Sequence, residues 1–80
     1  MRLVLVSWLD HCESDGEVWQ TTKQAGKRKA ATVHSVGWLV RETEDRLVLS
    51  SSTVEGEDLV ARPLVLVKAA VTRVEDLSRR

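Results

Sequence analysis

Apolar residues come in short bursts separated by polar, glycine-bearing clusters, which is the punctuation of strands. Leu3–Leu9 predicts a first strand, and the polar stretch His11–Gly16 after it reads as a turn. Thr21-Thr22-Lys23-Gln24 fits a capping box, so a short helix is expected over Thr22–Lys29, weakened by Gly26 in its middle. Val33–Glu42 is the second strand, with Val36, Trp38 and Val40 on one face and Gly37 marking a bend or bulge. After the tight connection Thr43-Glu44-Asp45, a third strand is expected over Arg46–Val54, its polar end at Ser50–Thr53 lying on a rim. A turn at Glu55–Asp58, with Gly56 as its permissive residue, leads to a fourth strand over Leu59–Val67. Pro63 has no amide hydrogen, so it belongs at an edge or bulge. Lys68-Ala69-Ala70 is long enough only for one 3₁₀ turn. Val71–Leu77 closes the pattern with Val74 and Leu77 facing inward, and Ser78-Arg79-Arg80 is a frayed tail.

Composition agrees with this pattern. The 80 residues include thirteen Val and three Trp but no Phe or Tyr, and valine packs well on a pleated surface. The expectation is a mainly β fold: a five-stranded small open barrel with a short helix in the insertion between strands 1 and 2. Residues 1–80 form one domain, because a chain of this length has material for a single core.

Net charge is zero, from twelve bases and twelve acids, yet the charges fall in blocks. Met1–Gln20 carries −3, Thr21–Ser35 +4, Val36–Asp58 −4 and Leu59–Arg80 +3. The neutral total argues against a wholesale electrostatic role on nucleic acid or membrane. The basic block is the sharpest local feature: Trp19, Lys23, Lys27, Arg28 and Lys29 are candidates to bind nucleic acid or another anion, with one indole to stack. The alternative is a solvated loop. Alternating acidic and basic patches also suit association between copies, so a homo-oligomer is expected, with a host protein or nucleic acid as possible partner.

Trp8 and Trp38 read as core or subunit-interface residues. Trp19 stands alone in polar surroundings, either as a lid over an open barrel end or as an exposed anchor. No apolar run is long enough to span a bilayer. The apolar N-terminal run lacks a small-residue cleavage site, and with an unpaired Cys12 the expected compartment is the cytoplasm.

Catalytic and metal chemistry are not expected. His11 and Cys12 are adjacent, and neighbours in an extended segment point to opposite faces. His11, Cys12 and His34 match no compact zinc spacing. Asp10, Glu13, Asp15 and Glu17 lack the distal Glu of a calcium loop. No phosphate loop or nucleophile elbow is present, and no cofactor is called for.

Two resemblances sit on these residues. The ending Leu64–Val67, Lys68-Ala69-Ala70, Val71–Val74 resembles the last two strands of SH3-like and Sm-like barrels, which implies a fold and no function. The string Ser35-Val36-Gly37-Trp38-Leu39-Val40, with Trp8-Leu9-Asp10, the lone Trp19 and Lys68-Ala69-Ala70-Val71, resembles a group of small uncharacterised bacteriophage proteins. Val67 stands where that group tends to have Pro. The resemblance implies a phage or prophage origin, with no activity to carry over; the expected function is a non-enzymatic accessory binding protein, with a structural virion component as an alternative.

Overall fold

The computed structural model describes residues 1–10, 19–27 and 29–77. In chain order these form β1 (Leu3–Asp10), α1 (Thr22–Gly26), β2 (Ala31–Glu42), β3 (Arg46–Ser50), β4 (Ser52–Thr53), β5 (Val60–Ala61), β6 (Leu64–Val67), a 3₁₀ turn (Lys68–Ala70) and β7 (Val71–Asp76). Five strands make one antiparallel sheet in the order β6-β3-β2-β1-β7, while β4 and β5 pair as a separate short ribbon. The expected turn at His11–Gly16 and the C-terminal tail lie outside the described residues.

Side chains alternate between the faces of a strand, and directly opposed residues share a face. The inner face gathers Val4 and Val6 of β1, Leu47 and Leu49 of β3 and Leu66 of β6, all buried. Trp8, Leu39 and Val71 pack against this cluster. Gly37 opposes Val4 and is buried between β1 and β3. A Cβ there would sit 3.0 Å from the Ser50 carbonyl oxygen and 3.1 Å from Leu49 Cβ. Close packing therefore explains this glycine, and the irregularity of β2 falls instead between Leu39 and Arg41.

The mainly β architecture is as expected, but the sheet does not close into a barrel. Among the described residues β6 pairs only with β3 and β7 only with β1, although the 3₁₀ turn joins them directly. Both end strands thus keep an open edge. Their inner faces are also uncovered: Leu64 opposes the buried Leu49 yet is 38% exposed, and Val74 opposes the fully buried Val6 yet is 46% exposed. The pattern places Val74 inside, but among the described residues no strand lies beyond β7 to cover it.

Three element boundaries differ from the sequence pattern. The third strand stops at Ser50, which still pairs with Trp38 while its hydroxyl reaches the backbone of Ser52 and Ala61. The fourth breaks into β5 and β6 at Arg62-Pro63, where Arg62 adopts φ +50°. The helix is a single short turn ending at Gly26 with Lys27 as C-cap, because none of its side chains is buried to support a longer one.

A hinge of charge ties the sheet's curled end. Glu42 accepts from Lys68 Nζ at 2.8 Å and lies 3.8 Å from Arg2, which also reaches Asp76 at 3.6 Å. The end of β2, the start of β1, the end of β7 and the 3₁₀ turn meet there. The molecule is nonetheless extended, with a radius of gyration of 16.2 Å, against roughly 12 Å for a compact 80-residue chain.

Candidate functional site

The arm between β1 and β2 carries the predicted basic site. Its helix begins at a capping box: Gln24 N–H donates to Thr21 Oγ1 at 3.1 Å, and Thr21 N–H donates to Gln24 Oε1 at 3.2 Å. This satisfies two amides that the first turn leaves unpaired and stabilises the turn by about 1 kcal/mol. Trp19 lies two residues before the cap and is 87% exposed. It is therefore not a lid over the sheet.

Lys23 and Lys27 are four residues apart, which puts them on one side of the turn, and Lys29 follows just beyond. All three are exposed, and no ion pair among the described residues engages them. Arg28 lies outside the described residues. The structure thus brings Trp19, Lys23, Lys27 and Lys29 together on one short arm.

A second region was not visible in the sequence. Trp8, Leu9 and Asp10 of β1 face Val65, Leu66 and Val67 of β6 and Ala69 and Ala70 of the turn across an apolar groove of about 430 Å³. Beside it, Val65 and Val67 on the open β6 edge are 58% and 60% exposed. The acidic connection 43–45 adjoins the same edge, since Lys68 N–H donates to the Asp45 carbonyl at 2.8 Å. Thr43 Oγ1 donates to Asp45 Oδ1 at 2.7 Å, and this hydrogen bond holds the Asp45 carboxyl below its ordinary range. The hydrogen bond and charge of Lys68 do the same for Glu42.

One serine–histidine contact occurs among the described residues. Ser7 Oγ lies 2.8 Å from His34 Nδ1, the two residues facing each other directly across β1 and β2. Ser7 is only 8% exposed, so this pair reads as a buried hydroxyl finding its partner. Trp8 Nε1 likewise donates to Ser35 Oγ at 3.0 Å. No group of three or more potential metal ligands occurs among the described residues; His11, Cys12, Glu13, Asp15 and Glu17 lie outside them. No described helix is long and apolar enough to cross a membrane.

No family model matches the chain, and neither a curated protein nor a solved structure matches it.

Proposed function

We propose that this chain is a non-enzymatic binding module that self-associates through its uncovered sheet edges and contacts an anionic macromolecule through its basic arm. The observation that carries the first half is the inner face running past its own cover at Leu64 and Val74. A second copy supplies the cover that the described residues do not. Area supports this: the accessible surface is 6633 Å², against roughly 4,900 Å² for a compact monomer of 9.0 kDa. A stable interface needs only about 800 Å² per partner.

Open edges also carry unpaired amides and carbonyls, which a second chain satisfies by extending the sheet. The finer fold reading, an open SH3-like or Sm-like barrel, is supported by the 3₁₀ turn that links the two end strands. Lysine placed at Val65 tests the edge: the variant should sediment as a smaller species than the parent at equal concentration, and equal sedimentation would contradict edge pairing.

The favoured ligand of the arm is single-stranded RNA or DNA. Three lysines without carboxylate partners among the described residues suit a phosphate backbone, and an exposed indole suits stacking on a base. Fluorescence anisotropy with a labelled oligonucleotide tests this, and binding should weaken steeply with salt. The resemblance to small bacteriophage proteins suits an accessory role in the host cytoplasm, or a structural one in the virion, which mass spectrometry of purified particles distinguishes.

A further inference from the structure

We propose that the groove between Ser35 and Arg62 is a binding site for a phosphate ester, separate from the arm. The groove holds about 300 Å³ and is lined by Ser35, Val36, Leu49, Ser51, Arg62 and Leu64, with the fully engaged Ser50 at its base. No carboxylate lines it, so nothing in the groove competes with a bound anion.

Its donors are left over. Ser35 Oγ accepts the indole N–H of Trp8, and its own proton has no acceptor among the described residues. Arg62 enters no ion pair or side-chain hydrogen bond among the described residues, whereas Arg2, Arg46, Lys68 and Arg73 each reach a carboxylate. A guanidinium matches phosphate oxygens with two parallel donors, and hydroxyls at its side complete the shell. Ser51, whose hydroxyl makes only a 3.3 Å bond to the Ala61 carbonyl, is free to turn toward the ligand.

The backbone gives the second, independent observation. Arg62 is the one non-glycine residue with positive φ among the described residues, and it precedes Pro63, which already narrows its choices. Glycine or asparagine is the usual occupant of that conformation. A long cationic side chain held there at a cost to the fold is what a binding role explains. It is fixed from both sides, by Ala61, which is bonded to Ser50, and by the proline ring. The exposed apolar surface of Val36 then receives the organic body of the ester.

The test uses the assembled protein with two probes, inorganic phosphate and adenosine 5′-monophosphate, followed by calorimetry and amide chemical shifts. Both should saturate with shifts at 35, 51 and 62, and the nucleotide should bind at least tenfold more tightly than phosphate. Arg62→Ala should weaken both tenfold or more. Arg62→Gly should lose binding equally while raising the thermal midpoint, since glycine accepts the backbone without strain. Lys23→Ala/Lys27→Ala/Lys29→Ala should bind both probes as the parent does, which separates this site from the arm. The proposal is overturned if neither probe shows saturable binding, or if Arg62→Ala and Arg62→Gly stay within twofold of the parent.

Discussion

Ser50 Oγ holds both backbone groups of Ala61: the Ala61 amide donates to it at 3.0 Å, and it lies 2.7 Å from the Ala61 carbonyl oxygen. The same hydroxyl lies 2.7 Å from the Ser52 carbonyl and accepts from the Ser52 amide at 3.3 Å. One 1%-exposed side chain thus stands in for strand pairing where β3 ends, and it anchors the β4–β5 ribbon to the main sheet. Ser50→Ala should therefore destabilise the fold by about 1–3 kcal/mol, because it removes the acceptor of the Ala61 and Ser52 amides, while the Ala61 carbonyl keeps the Ser51 amide at 3.1 Å. Urea denaturation measures this, and a loss below about 0.5 kcal/mol would refute the anchoring role.

Gly37 sits where β2 passes closest to β3. The Ser50 carbonyl it would strike is backbone and cannot rotate away. Gly37→Ala should cost about 1–3 kcal/mol through this overpacking, even though alanine lowers the conformational entropy of the unfolded chain. The unfolding midpoint in urea reports it.

The Glu42–Lys68 pair makes stability depend on pH. Lys68 lowers the Glu42 carboxyl below its ordinary 4.5 in the folded state. The folded chain therefore binds that proton less readily than the unfolded chain. Its contribution is complete above about pH 4.5 and is lost as pH falls through the folded value. Both side chains are partly exposed, so the pair is worth about 0.2–1 kcal/mol. Thermal melts of the parent and Glu42→Gln should differ at pH 7 and converge near pH 3. A difference that does not change across this range would show that the pair contributes nothing.

Much of this fold is legible in the sequence because its strands are alternating valine and leucine runs, and the capping box at Thr21–Gln24 depends only on neighbours. The 3₁₀ turn at Lys68–Ala70 is legible for the same reason: three residues between two apolar runs admit little else. Long-range events are not legible. Nothing local reveals that the Ser50 hydroxyl reaches Ala61 eleven residues on, or that Arg62 turns left-handed before Pro63. Gly37 shows the same limit, since a glycine in a strand reads equally as a bend or as a close approach. The exposure of Val74 depends on whether the sheet closes, which alternation along one strand does not encode. In the candidate site, the charges of the arm are read directly from the chain, whereas the exposure of Trp19 is a tertiary fact.

Trp19 should be dispensable for stability and important for binding. Being 87% exposed, it should change the folding free energy by less than about 0.5 kcal/mol when replaced by Ala. The same change should weaken oligonucleotide binding by about 1–3 kcal/mol if a base stacks on it. With three or four cations engaged, the logarithm of the affinity should fall with that of salt at a slope of roughly −2 to −3. Anisotropy titrations at several salt concentrations check both; a salt-independent affinity would remove the arm from the interface.

Association between copies is the claim on which the rest leans, because no strand or helix among the described residues covers the exposed Leu64 of β6 and Val74 of β7. Sedimentation equilibrium over a dilution series from high to low micromolar tests it most directly. The predicted result is a weight-average mass that is a multiple of 9.0 kDa at the top of the series. A mass of 9.0 kDa at every concentration would contradict it.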